Sequence, residues 1–216
     1  MVIWPNLNQQ DDAWFATRAG RPTASRFKDI ITPEGKDSKS WEKLALELIA
    51  ESIHPTEFQG FDGNHDTDRG NEMEDVARKY YEEQTGYKVT QTGFITRDDY
   101  VIGFSPDGLI LSNGEPLAKD GSNIAHGLEI KSPRRKGHAE TLITQQMPSE
   151  HRPQVHGSMA CSGLTRWDFV SYNSGFNKQF ITEIHWDEYT DKCADALDRF
   201  LIFYAEYREK NLPLLT

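Results

Sequence analysis

Cysteine is nearly absent: Cys161 and Cys193 are the two in 216 residues. Two thiols cannot hold a four-thiolate iron–sulfur cluster. So sparse a count points to reduced thiols in a reducing compartment rather than to a disulfide framework. Long apolar runs are also missing, and none reaches the roughly eighteen residues that span a bilayer. The opening segment, MVIWPNLNQQDD, lacks the basic-then-apolar build of a secretory signal. A cytoplasmic location with no membrane association is therefore expected. Basic excess is lacking as well, since the formal net charge is −10 and the pI is near 5.2. Composition alone argues against a nucleic-acid partner, which usually leaves a basic footprint. Net charge says little about local distribution, however. No repeat or low-complexity tract interrupts the chain. With 37% hydrophobic and 27% charged residues, it reads as one ordinary globular domain, 1–216, able to bury a core without metal or disulfide.

What is present begins with helices. DDAWFATRA is a short amphipathic segment ended by Gly20 and Pro22. Thr23 is placed to cap a second helix, ASRFKDII, that stops before Pro33. SWEKLALELIAESI puts Trp41, Leu44, Leu48 and Ile49 on one buried helical face. Residues 54–69 are polar and Gly-rich and read as a loop. NEMEDVARKYYEEQTG follows as a helix with Gly86 just past its end. The chemistry then turns to strands: YKVTQTGFITR alternates, YVIGFS and GLILS are short strands, and HGLEIKS is another. Helical segments are expected over 138–146 and 150–162, the second stopping at Gly163. RWDFVSYN and KQFITEIHW are strands, and one long amphipathic helix runs from Asp187 to Lys210. This order predicts an α/β (α+β) domain, a central mixed sheet with helices on its faces.

Two short patterns carry chemistry. On a strand, side chains alternate faces, so in Leu128-Glu129-Ile130-Lys131 the carboxylate and the ammonium share one face. An E-x-K triplet alone is more often an ion pair on a solvated strand. Ser105-Pro106-Asp107-Gly108 alone is more often a turn. Yet this turn lies about one hairpin upstream of Glu129, and adjacent strands can bring the Asp107 and Glu129 carboxylates together. Two close carboxylates repel and favour a divalent cation between them, with oxygen ligands suited to Mg²⁺ or Mn²⁺. Lys131 then stands where a phosphate oxygen or an attacking water must lie. Cleavage of a phosphodiester by water needs an activated nucleophile and stabilised charge on phosphorus, which metal and lysine together supply. Glu74, beside Glu72 and Asp75 at a helix start, is either part of a solvated acidic face favoured by the helix dipole or a third carboxylate over the site. Two basic runs flank these motifs: Lys131, Arg134, Arg135 and Lys136, and Arg18, Arg21, Arg26 and Lys28. The seven histidines show no zinc-type pair, and most are expected at the surface or in loops.

These motifs resemble the PD-(D/E)xK nuclease superfamily, and more finely the lambda exonuclease family of viral recombinase nucleases. The likeness rests on DDAW from Asp11, R-x-G from Arg18, T-A-S from Thr23, GNEMEDVAR from Gly70, SPDG from Ser105, GLEIKSP from Gly127 and QVHGSM from Gln154, in that order. Each is weak alone; together they cover about two thirds of the chain. The 54–69 loop and the C-terminal third carry no such motif. His156 stands where a glutamine is expected.

The resemblance implies a restriction-endonuclease-like core and a set of roles. Asp107, Glu129 and the Ile130 carbonyl hold Mg²⁺, or Mn²⁺ in its place. Lys131 orients or helps deprotonate the water, and Glu74 assists the metal–water shell. Arg18, Ser25, Ser105 and Gln154 contact a terminal 5′-phosphate, and Arg134, Arg135 and Lys136 bind the DNA backbone. The implied activity is 5′→3′ digestion of one strand of linear double-stranded DNA, leaving a 3′ overhang for recombination by strand annealing. The implied assembly is a ring-shaped homotrimer working with a single-strand annealing protein, in a bacterial cell and with prophage ancestry. Two alternatives stand beside it: an endonuclease of restriction or repair on the same core, and a catalytically silent DNA-end-binding subunit. The intact Asp107, Glu129 and Lys131 weigh against the silent subunit.

Overall fold

The structure is a computed structural model that describes residues 1–4, 7–9, 11–55, 65–112 and 115–216, with the backbone alone over 65–72. The N-terminal part is a strand, β1 (Val2–Trp4), and two helices, α1 (Asp12–Arg18) and α2 (Trp41–Ile53), with a 3-10 turn, Ala24–Asp29, between them. Asp11 starts α1 by accepting the Trp14 N–H at 2.8 Å, which satisfies one of the free donors of a first turn. Thr23 departs from the expected cap. It sits at the N-cap position of a 3-10 turn and makes no capping bond, because its hydroxyl is engaged by Arg18 at 3.3 Å. Leu44, Leu48 and Ile49 of α2 are buried as the periodicity predicts.

Helix α3 (His65–Thr85) begins before residue 70, so the expected 54–69 loop is too long at its C-terminal end. Residues 56–64 of that loop lie outside the described residues. Gly86, at φ +74°, follows α3, a backbone region that glycine enters without penalty. The expected single strand YKVTQTGFITR is two: β2 (Val89–Thr90) and β3 (Phe94–Thr96). They join different sheets. The remaining elements are β4 (Gly103–Phe104), β5 (Gly108–Leu111), β6 (Ile124–Lys131), α4 (Arg135–Thr144), α5 (Arg152–Ser162), β7 (Arg166–Ser171), β8 (Phe180–His185) and α6 (Glu188–Asn211). The helix expected over 138–146 thus starts earlier, inside the basic run. Helix α5 stops at Gly163, whose φ is +75°.

Two sheets result: a three-stranded one in the order β1-β3-β4, and a five-stranded one in the order β2-β5-β6-β7-β8. In the larger sheet β6 and β7 run parallel and the other pairs are antiparallel. A parallel pair needs a long crossover, and α4 and α5 supply it. Side-chain alternation sorts β6 between two cores. Leu128 and Ile130 pack with Ala77 and Tyr81 of α3 and with Val170. On the other face, Trp167 and Phe169 of β7 join Val155 and Met159 of α5, Phe27, and Phe200 of α6. Helix α5 approaches the 3-10 turn closely: a Cβ at Gly157 would lie 2.1 Å from the Phe27 ring, so only glycine fits there. The arrangement leaves the end of β6 at Lys131 with α3 on one side and α5 on the other.

Candidate active site

Strand β5 stops where the chemistry starts. Its antiparallel register with β6 ends at Gly108↔Leu128. Pro106 has no N–H to extend the ladder. Asp107 replaces it with a side chain: its Oδ2 accepts the Ile130 N–H at 2.6 Å. The neighbouring Lys131 carbonyl points to the opposite edge, where it accepts from Tyr172 N–H at 2.8 Å. Backbone groups alternate edges along a strand, so the Ile130 carbonyl faces the Asp107 edge, beyond the end of β5.

Glu129 is buried at 2% exposure and stands on the opposite face from Leu128 and Ile130. Its Oε1 receives two donors, Lys131 Nζ at 2.5 Å and Gln154 Nε2 from α5 at 2.5 Å. Burial pushes the Glu129 carboxyl up to about 8; Asp107 and Glu74 add to the rise and Lys131 opposes it. Burial likewise raises Asp107, against the pull of Lys131, the Ile130 N–H and Arg78. Burial works against the Lys131 charge too, yet Glu129, Asp107 and Glu74 outweigh it and hold the ammonium above its usual range.

Glu74 reaches the same neighbourhood from α3. Burial and then repulsion from Asp107 raise it to about 7, with Arg78 and Lys131 opposing. Arg78, which is 8% exposed, joins the site without a motif of its own. Its guanidinium bonds Glu74, donates to Asp75 at 2.5 Å and reaches the Asp107 carbonyl at 3.3 Å. Its only sequence signal was the Glu74/Arg78 spacing of one helical turn. Among the described residues no three of His, Cys, Asp and Glu gather into a metal cage. The oxygens that could hold a cation are therefore the Asp107 and Glu129 carboxylates and the Ile130 carbonyl, with Glu74 set back against Arg78. Such an all-oxygen set, with repelling carboxylates in a half-buried site, fits a hard divalent cation.

A second cluster lies beside the first. The Arg18 guanidinium donates to Ser105 Oγ at 2.9 Å and to Thr23 Oγ1 at 3.3 Å, and Thr23 Oγ1 is 3.4 Å from Ser25 Oγ. It stacks over the Trp14 ring at 4.1 Å, and Trp14 Nε1 also reaches Ser105 Oγ at 3.0 Å. Burial lowers Arg18 to about 10, with Glu51 opposing. Among the described residues no carboxylate forms an ion pair with Arg18, and the nearby Asp11 carboxylate caps α1. A guanidinium held by hydroxyls and an indole, with no carboxylate in contact, is set up for an anion. Of the four residues predicted for a phosphate pocket, Arg18, Ser25 and Ser105 come together here. Gln154 bonds Glu129.

Arg134, Arg135 and Lys136 are exposed where α4 begins, directly after the strand that carries Lys131. The histidines depart from expectation: His126, His138 and His156 are buried. His138 lies 2.9 Å from Ser171 Oγ and 3.1 Å from the Lys178 carbonyl, and His156 lies 2.7 Å from Thr190 Oγ1. Tyr81 donates to Asp168 at 2.6 Å, with His126 3.3 Å from both and Arg166 bonded to the same carboxylate at 2.9 and 3.0 Å. This network ties α3 to the sheet.

A mixed sheet whose central strand ends in two carboxylates and a lysine, beside an arginine that meets hydroxyls and no carboxylate among the described residues, carries the groups a nuclease needs. Residues 13–165 match the YqaJ-like viral recombinase domain, and the chain belongs to that family, the family of lambda exonuclease. The chain is 30% identical to the alkaline exonuclease LHK-Exo from Laribacter hongkongensis, with a TM-score of 0.72 and with 94% of this chain and 100% of that chain covered. The same values hold for LHK-Exo in complex with dAMP. A phage-related exonuclease from Haemophilus somnus 129PT shares 17% identity over 88% of this chain and 96% of that one, at a TM-score of 0.59, a likeness of fold alone. None of the curated proteins matches the chain in sequence.

Proposed function

We propose that the protein is a Mg²⁺-dependent exonuclease that digests one strand of linear double-stranded DNA from a 5′-phosphorylated end, leaving a 3′ overhang for strand annealing. The observation that carries this reading is the adjacency of the two clusters. Ser105, bonded to Arg18, and Asp107, bonded to Ile130, are two residues apart in the short segment between β4 and β5. An anion pocket so close to a carboxylate–lysine site favours a substrate whose terminal phosphate and scissile phosphate are neighbours.

In this reading Asp107, Glu129 and the Ile130 carbonyl hold the cation. A bound Mg²⁺, or Mn²⁺ in its place, would offset the carboxylate repulsion, polarise the phosphodiester and lower the pKa of the attacking water. Lys131 orients that water or the phosphate oxygen beside it and stabilises the charge that develops on phosphorus. Gln154 steadies the Glu129 carboxylate, and Arg78 holds the Glu74 carboxylate in place beside the site. Arg18, Ser25 and Ser105 take the 5′-phosphate, while Arg134, Arg135 and Lys136 track the backbone. An acidic chain on a polyanion must confine its cations to one surface. A ring-shaped homotrimer closed around the duplex does this, in the closed symmetry usual for oligomers. Work beside a single-strand annealing protein follows from the overhang product.

The test is digestion of a linear duplex labelled at one 5′ end, with and without Mg²⁺. Metal-dependent release of the label and protection of closed circular DNA are expected. Cutting of the closed circle would identify an endonuclease, and binding without cleavage would identify a silent end-binding subunit.

A further inference from the structure

Among the described residues His151 is the one half-buried histidine, and none of the roles above uses it. It ends the 3-10 turn Ser149–His151 that leads into α5. Three residues on is Gln154, which bonds Glu129; residues at this spacing share a helix face. The imidazole stacks on Phe169, with centroids 5.5 Å apart and an interplanar angle of 29°. Phe169 is the register partner of Glu129 on β7. Helix face and sheet register thus both place the ring on the face of the sheet that carries Glu129 and Lys131.

The ring is held but not used up. Its side chain is 22% exposed, and its nearest ionic partner among the described residues, the Glu150 carboxylate, is 3.9 Å from Nε2, beyond hydrogen-bond reach. Burial, with the Lys131 and Lys28 charges in support, drives the imidazole down to about 3. A neutral imidazole offers one N–H donor and one lone pair. Lys28 is an exposed cation on the 3-10 turn that packs against α5. A polyanion lying between that turn and the end of β6 would pass the partly exposed His151 side chain.

We propose that His151 is a substrate-contacting residue whose ring N–H donates to a phosphate oxygen of the nucleic-acid strand next to Lys131. This rests on the nuclease reading and adds a contact to it. The Phe169 stack fixes the ring plane, so the donor is aimed before substrate arrives, and a neutral donor adds no further repulsion to Lys131. The charge on the strand makes the bond charge-assisted.

The experiment compares wild type, His151→Phe and His151→Gln on a 5′-phosphorylated linear duplex with Mg²⁺, and measures binding of the same duplex with Ca²⁺. His151→Phe keeps an aromatic ring on Phe169 and removes the donor. It is expected to retain the wild-type melting temperature, to lose about tenfold to a hundredfold in kcat/KM, and to bind the duplex more weakly. His151→Gln restores a donor and is expected to recover most of both. Full kcat/KM in His151→Phe, or equal loss in the two variants, would overturn the proposal. If His151→Phe does not fold, His151→Asn is set beside His151→Gln. Function kept by either amide supports the donor role and names the nitrogen, and loss in both overturns it. A wild type that leaves the duplex intact defeats the nuclease reading and this inference together; an active wild type with an indifferent His151→Phe defeats this inference alone.

Discussion

Gln154, on α5, donates to Oε1 of Glu129, on β6, at 2.5 Å. The helix that bridges the parallel pair is thereby pinned to the catalytic strand by the same oxygen that Lys131 holds. Removing a member of so small an array should not act on one group alone. Asp107→Ala, Glu129→Ala and Lys131→Ala are each expected to reduce cleavage by about a thousandfold or more, and the double variants by little further, as for residues that act as a unit. DNA binding and folding should survive. Ca²⁺ should support binding but little cleavage, because it is larger and less demanding of geometry than Mg²⁺. Strong Mg²⁺-dependent cleavage by Lys131→Ala would defeat the assignment.

The raised carboxyls make the metal-free site a local source of instability. Glu129 titrates near 8 and Glu74 near 7, both above the ordinary 4.5. Between 4.5 and those values the unfolded chain has released protons that the folded chain keeps. Stability contributed by these groups is therefore present at low pH and lost as the pH rises toward 8. The metal-free protein should melt at lower temperature at pH 9 than at pH 6, and Glu129→Gln should flatten that fall. Mg²⁺ should restore stability most at alkaline pH, where the carboxylates are free to bind it, and EDTA should remove the gain. Melting curves across pH check each sign, and a metal effect independent of pH would contradict the argument.

Arg18 makes a prediction about ends. Arg18→Ala removes a charge-assisted bond of about 1.5–3 kcal/mol, or roughly ten- to a hundredfold. The loss should fall on 5′-phosphorylated duplexes and spare 5′-hydroxyl ones. Initial rates on matched duplexes measure it, and an equal slowing of both ends would remove the pocket from the reading.

Asp168 is 1% exposed and serves the far side of the sheet. Burial works against its charge, yet bonds from His126, Arg166 and Tyr81 hold its carboxyl down at about 2. Its contribution to stability is fully present above the ordinary 3.8 and is lost as the pH falls through about 2. Asp168→Ala leaves Arg166 and His126 without their acceptor and should destabilise the fold by about 3 kcal/mol at neutral pH. Denaturant unfolding measures this. Because the network anchors the helix bearing Glu74, activity at a permissive temperature should fall as well.

Assembly is tested by light scattering. A trimeric mass is expected at working concentration, and a monomer would count heavily against the ring. Duplex binding should weaken steeply with salt as phosphate contacts release counterions.

Much of the site was legible because it sits on regular elements. Alternation placed Glu129 and Lys131 on one face of β6, and the SPDG turn placed Asp107 at the joint before β5. The two-sheet arrangement was not legible. YKVTQTGFITR alternates without pause, but Gly93 has no room for a side chain, since a Cβ there would meet the Leu7 carbonyl oxygen at 2.0 Å. The chain leaves one sheet and enters the other around that point, and β3 pairs with β1, a strand too short to read. The buried histidines were hidden for a different reason. His126 is satisfied by Tyr81 and Asp168, and His156 by Thr190, partners 34 residues or more distant in sequence. The family resemblance places Gln154 at the phosphate; the packing of α5 on β6 adds its bond to Glu129, which no motif announces.

The short joint between the two sheets is also a ruler. Ser105, bonded to Arg18, and Asp107, bonded to Ile130, are two residues apart in sequence, so their α-carbons can be no more than about 7 Å apart. Under the proposed function, a terminal phosphate seated at Ser105 would leave room for a single nucleotide before the strand meets Asp107. Bite size is then a property of two peptide bonds, insensitive to the base being removed and to how far the enzyme has travelled. Products should be mononucleotides from the first turnover to the last, and a residue inserted between Pro106 and Asp107 should disturb the length of the product before it disturbs affinity for the end.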